Sequence, residues 1–192
     1  MPILGIVASS TRQGQATDTG AMFPLGMVQV GSAGTSSVTF SSIPSTYKHL
    51  QIRFIARKNG SLNDTTNIEM NFNGSSSAIY NDHYLLGSGG GASASGSSGS
   101  VTRIASIYFA GGGMTANTFG VGVIDILDYA NTSKNKTTRQ LSGVSSNASS
   151  AIDYILLGSG LYGSTSAITS ITLTGSNFVQ YSSFALYGIK GA

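Results

Sequence analysis

Phe119-Gly-Val-Gly-Val-Ile-Asp-Ile-Leu-Asp-Tyr129 is the longest run of β-branched and apolar residues in the chain. It leads into Ala130-Asn-Thr-Ser-Lys-Asn-Lys-Thr-Thr-Arg139, where charged and turn-forming residues gather. Val, Ile, Phe and Tyr suit a pleated surface, and two internal glycines disfavour a helix. The stretch therefore reads as a central strand that ends in an exposed basic turn.

Shorter runs of the same kind lie on both sides. Leu50, Ile52, Phe54 and Ala56 alternate with Gln51, Arg53, Ile55 and Arg57, and Ile68, Met70 and Phe72 alternate with Asn67, Glu69 and Asn71 before an Asn73-Gly74 turn. A period of two predicts strands with one buried and one wet face. Further strands are expected at 27–30, 38–40, 79–86, 101–109, 140–144, 152–157, 167–173 and 181–189, and no segment carries a helical period. The Gly-, Ser- and Ala-rich run 87–100 offers almost nothing to bury and predicts a mobile loop. An echo links Asp82-His-Tyr-Leu-Leu-Gly-Ser-Gly89 with Asp153-Tyr-Ile-Leu-Leu-Gly-Ser-Gly160, without establishing a duplication. The expected fold is all-β, an antiparallel, jelly-roll-like β-sandwich of about eight strands or more.

A chain of 192 residues with no proline- or charge-rich linker is read as one domain, residues 25–192, preceded by an extended N-terminal arm, residues 1–24. The opening Met1-Pro-Ile-Leu-Gly-Ile-Val-Ala8 is too short for a spanning helix and lacks the basic region of a secretory signal. Ile3, Leu4, Ile6, Val7 and Phe23 are costly to leave in water at about 25 cal/mol per Å², so the arm is expected to lie on a partner or on the domain itself.

The net charge of +3 comes from 10 Lys+Arg against 7 Asp+Glu. The cations are scattered apart from Arg53/Arg57/Lys58 and Lys134/Lys136/Arg139, so neither nucleic acid nor membrane is an expected partner. With only 9% charged residues, much of the exterior is expected to be covered by other subunits in a homo-oligomer, a trimer being favoured. The chain has no cysteine, which removes disulfides and thiolate metal sites.

Motifs that suggest chemistry fail in their context. Gly158-Ser-Gly-Leu-Tyr-Gly163 matches a dinucleotide fingerprint, but residues 164–173 read as a strand rather than the helix whose N-terminus would face a pyrophosphate. His49 and His83 lack metal-ligand spacing with Asp82, Asp125 and Asp128, and the last two have opposite parity along the central strand. No strand-to-helix serine elbow is present. Tyr80, Tyr84, Tyr129, Tyr154 and Tyr162 suit either a sugar-binding face or an ordinary core. Triplets such as Asn131-Thr-Ser133 and Asn135-Lys-Thr137 are what this composition yields by chance. No catalytic, cofactor or metal residue is expected, and the chain is read as a non-enzyme.

Three stretches together carry a resemblance: Ile43-Pro-Ser-Thr-Tyr-Lys-His-Leu-Gln-Ile-Arg53, Val123-Ile-Asp-Ile-Leu-Asp-Tyr-Ala-Asn-Thr132 and Asn177-Phe-Val-Gln-Tyr-Ser-Ser-Phe-Ala-Leu-Tyr-Gly-Ile-Lys-Gly191. They resemble a group of structural proteins of tailed bacteriophages, labelled as virion, capsid-associated or tail-associated proteins. The likeness runs from about Leu25 to the end, and the opening residues look like the attachment end of such proteins. It implies a virion location, contact with the major capsid protein or with tail proteins, and anchoring through Ile3, Leu4, Ile6, Val7 and Phe23. A head decoration, cement or head-fibre protein is the favoured expectation. The alternative is a tail or tail-fibre accessory protein whose sandwich binds a host carbohydrate.

Overall fold

The computed structural model describes residues 21–59, 66–96, 101–145 and 153–191. Ile3, Leu4, Ile6 and Val7 lie outside the described residues. Among the latter there is no α-helix. The strands in chain order are β1 (Met22–Gln29), β2 (Thr35–Phe40), β3 (His49–Ala56), β4 (Thr66–Asn67), β5 (Glu69–Phe72), β6 (Tyr80–Ser88) and β7 (Gly91–Gly96). They continue with β8 (Tyr108–Phe109), β9 (Gly120–Leu127), β10 (Lys136–Val144), β11 (Tyr154–Tyr162), β12 (Ile171–Phe178) and β13 (Ser183–Ile189).

One eight-stranded sheet has the order β1-β13-β3-β9-β10-β11-β6-β7, a three-stranded sheet has the order β2-β12-β5, and β4 pairs with β8. Every strand pair is antiparallel. The chain crosses between the layers repeatedly, from β1 to β2 to β3 and again from β11 to β12 to β13. The result is the antiparallel β-sandwich that the alternation predicts, with layers of unequal width. The Phe119–Tyr129 run supplies β9, which lies between β3 and β10 in the middle of the large sheet.

Alternation builds the core. Leu50, Ile52 and Phe54 of β3, Ile124 and Ile126 of β9, and Phe184 and Leu186 of β13 point inward to meet Val38 and Phe40 of β2, Met70 and Phe72 of β5, and Ile171 and Leu173 of β12. Fully burying side chains of this size stabilises by about 1.5–3 kcal/mol each, which holds two layers together without a covalent staple. Phe178 and Phe184 meet edge to face at 4.8 Å between ring centres, and Tyr80 stacks on Tyr162 at 5.0 Å.

Several boundaries differ from the sequence reading: β10 begins at the buried Lys136, inside the expected exposed turn, only Tyr108–Phe109 of the expected strand 101–109 is a strand, and β12 runs on to Phe178. The sheet begins at Met22 rather than after residue 24: Phe23 is paired in β1 opposite Gly188, lies 5.6 Å from the Tyr47 ring and has the Lys190 ammonium 5.0 Å above its own ring. It is a sheet residue, not part of an arm. Residues 87–96 of the expected loop are instead the end of β6, a Gly89-Gly90 turn and β7. Strand pairing there uses backbone groups, so side chains with nothing to bury are no obstacle on an exposed edge. The two echoed segments are antiparallel neighbours, Leu85 of β6 facing Leu157 of β11, so the echo runs across a pair of strands sharing one environment.

Irregular segments are tied down by single polar side chains. Asn73 and Gly74 have φ of 53° and 65°, the left-handed pair of a type I′ turn, but they turn the chain between layers rather than closing a hairpin. The Asn73 side chain accepts from the Thr169 N–H at 2.8 Å and donates to the Ala167 carbonyl at 2.8 Å, fixing the entry to β12. The Arg57 guanidinium donates to the carbonyls of Gly112, Met114, Thr115 and Thr118 at 2.8–2.9 Å, replacing the strand partners that the 111–119 loop lacks. Fully buried Lys136 donates to the Lys134 carbonyl at 2.8 Å and the Thr165 carbonyl at 3.0 Å, and burial lowers its pKa.

Candidate interaction surface

The histidines and aspartates weighed for chemistry, His83 aside, are engaged in separate contacts. His49 Nδ1 accepts the Asp128 N–H at 2.9 Å, which commits that nitrogen to a backbone contact. Asp128 is in a turn after β9, bridged by Lys48 at 3.0 Å and by Lys134. Their donated hydrogen bonds, that from Lys134 foremost, hold its carboxyl at about pKa 2. Asp82 points inward and accepts the Ala105 N–H at 2.9 Å, whereas His83 beside it points outward. No group of three or more potential ligands gathers to hold a metal ion among the described residues.

The fingerprint Gly158–Gly163 lies in and just after β11, and its first two glycines face the core. A Cβ at Gly160 would sit 2.6 Å from Thr138 Oγ1 and 2.7 Å from Ile104 Cδ1. These glycines let the 101–109 segment lie on the sheet; they cradle no phosphate. Tyr80, Tyr129, Tyr154 and Tyr162 are buried, so four of the five tyrosines considered for sugar binding pack inside. Tyr84 is half-buried and its hydroxyl accepts from that of Tyr108 at 3.2 Å. Burial, with the Tyr84 hydroxyl adding to it, pushes the Tyr108 pKa up to about 12.

What the structure assembles is apolar and lies on the outside of the eight-stranded sheet. In register across the strands, Ile55 faces Val121, Val121 faces Gly143, Gly143 faces Ile155 and Ile155 faces Gly87. In the adjacent row Arg53 faces Val123, Val123 faces Leu141, Leu141 faces Leu157 and Leu157 faces Leu85. All these side chains point away from the core. Ile155 is 60% exposed, Leu157 50%, Leu141 49% and Val121 52%. Ile55, Val121, Leu141 and Ile155, with Met27 and Tyr187 of the neighbouring strands, line a shallow trough of about 870 Å³.

Beside the apolar rows runs a polar one. Asp125 accepts from Gln51 Nε2 at 2.8 Å and from Arg139 Nη2 at 2.6 Å, and Arg53 Nε donates to Gln51 Oε1 at 2.9 Å. The Arg53 guanidinium rests over the Tyr187 ring at 5.6 Å from its centre. The sequence reading assigned a wet outer face to these strands and missed the patch. Its signal was present in adjacent apolar residues of both parities, Phe54-Ile55, Leu85-Leu86 and Ile155-Leu156-Leu157, which a strand can hold only by showing one set to the outside.

Compared with protein-family models, curated proteins and solved structures, the chain has no significant match.

Proposed function

We propose that this protein is a non-enzymatic structural component of a bacteriophage virion. In this reading it is a head decoration, cement or head-fibre protein, held to the particle through its N-terminal segment and assembled as a homo-oligomer. The observation that carries the assembly role is the aliphatic outer face of the eight-stranded sheet. An antiparallel sheet that works alone in water turns a polar face outward, and two rows of half-exposed Ile, Leu and Val suit a surface that ends up covered by protein. The virion location rests on the resemblance of residues 43–53, 123–132 and 177–191 to phage structural proteins.

The test is immunogold electron microscopy of purified phage particles that encode the chain, with antibody raised against the full-length protein. Regular labelling of the head supports the reading. Labelling confined to the tail would move it to a tail accessory protein, in which case glycan-array binding becomes the next measurement. Particles free of the protein would overturn it.

A further inference from the structure

We propose that a second copy of this chain docks on the outer face of the eight-stranded sheet, sheet against sheet, through the rows that contain Ile55, Val121, Leu141, Ile155, Leu157 and Leu85. The inference rests on the homo-oligomer part of the proposed function and names its surface. It needs nothing from the virion part.

Area comes first. Ile55 is 48% exposed and Leu85 54%, and they adjoin the half-exposed Val121, Leu141, Ile155 and Leu157. Those six residues present roughly 500 Å² of surface, at the upper end of the roughly 300–600 Å² of the largest patch on a typical monomer. That is more than half of the roughly 800 Å² per partner that a stable dimer buries.

Relief is the second argument. Leu141, Leu157 and Leu85 stand side by side as a ridge, while the neighbouring row is broken at Gly143 and Gly87. Where a Cβ of Gly143 would stand, only backbone atoms of Tyr154 and Ile155 lie within 4 Å, so no side chain fills the notch. The face thus carries a ridge beside a row that is open at Gly143 and, at Gly87, is narrowed by Ile155 Cγ2 3.4 Å from where a Cβ would stand. A two-fold axis in the plane of contact sets the ridge of one copy against the notched row of the other, in the way that two layers of a sandwich interdigitate.

Charge is the third. The Asp125 carboxylate is already engaged by Gln51 and Arg139, so a like surface can close over that row without meeting an unpaired carboxylate. The guanidinium groups on this face are Arg139, held by Asp125, and Arg53, which lies on the β13 side of the leucine ridge and rests on Tyr187. A flat isologous contact of this kind makes pairs, in place of the threefold arrangement expected from composition.

The experiment is sedimentation equilibrium of the full-length protein across micromolar concentrations, with far-ultraviolet circular dichroism to verify folding. The expected mass is twice the 19.6 kDa of the chain. Leu141→Glu with Leu157→Glu should weaken association by roughly 100-fold or more, because it places charges in the centre of the contact. Ser37→Glu, on the exposed side of β2, should leave the mass unchanged. If the glutamate variant fails to fold, Ile155→Thr with Leu157→Thr keeps strand-forming residues and should weaken association in the same direction.

A monomer at all concentrations would overturn this inference and the homo-oligomer reading together. If in that monomer Leu157→Glu newly exposed residues 3–7 to hydrogen exchange, the face would belong to the chain's own N-terminal segment. A dimer indifferent to every outer-face variant would overturn this assignment alone, and a trimeric mass would overturn the two-fold contact.

Discussion

Asp128 follows β9 in a left-handed turn conformation, with φ of 49°, and receives Lys48 from just before β3 and Lys134 from the β9–β10 turn. Its folded pKa of about 2 lies below the ordinary 3.8, so the ionised form is favoured by folding. The stability this contributes is in place above pH 4 and is lost as pH falls through about 2. Acid unfolding followed by circular dichroism should show a stability decline between about pH 4 and 2 that Asp128→Asn removes. Arg57 acts by shape as much as by charge. A lysine cannot reproduce a planar fork that reaches four carbonyls, so Arg57→Lys should cost about 1–3 kcal/mol in urea denaturation. Faster hydrogen exchange should appear in the 111–119 loop.

Elements depend on where side chains are absent. The 101–109 segment lies over the inner face of β11, with the Ile104 N–H donating to the Met70 carbonyl at 3.1 Å. The space it occupies is the space a side chain at position 160 would take. Gly160→Ala should therefore cost about 1–3 kcal/mol by overpacking. It should also raise exchange at the Ile104 amide while leaving the β9–β10 pairing protected. At the two ends of the sheet the edges differ. β1 carries Pro24 and a register shift between Pro24 and Gly26, features that blunt an edge, whereas β7 is Gly-Ala-Ser-Ala-Ser-Gly with neither proline nor charge.

The described sheets, core and loop clamps are all built from residues between 21 and 191. A chain starting at Ala21 should give the same β-type circular dichroism and thermal midpoint as the full-length protein. Under the proposed function it should fail to bind phage particles in a pelleting assay. If it bound with undiminished affinity, residues 1–20 would not be the anchor.

The strands, their approximate places and the all-β class were legible in the chain because alternation and turn chemistry are local properties. The period of two in residues 50–57 and 67–73, the glycines that disfavour a helix in Phe119–Leu127, and Asn73-Gly74 each act over a few residues, and each is realised in the structure. What only the tertiary structure decided was the use made of side chains whose partners are distant in sequence. Two clusters of cations became separate structural contacts: Arg57 on four carbonyls, Arg139 on Asp125, Lys134 on Asp128 and Lys136 in the interior. The Gly- and Ser-rich run 87–96 became an edge hairpin, because β6 offered backbone groups that its composition could not announce. The apolar outer face exists only once β3, β9, β10, β11 and β6 are set in register, which aligns Ile55, Val121 and Ile155 in one row and Leu141, Leu157 and Leu85 in the next. Side-chain parity is written into each strand separately, but a surface is made by several strands at once, and their order and register come from the packing of the whole sheet.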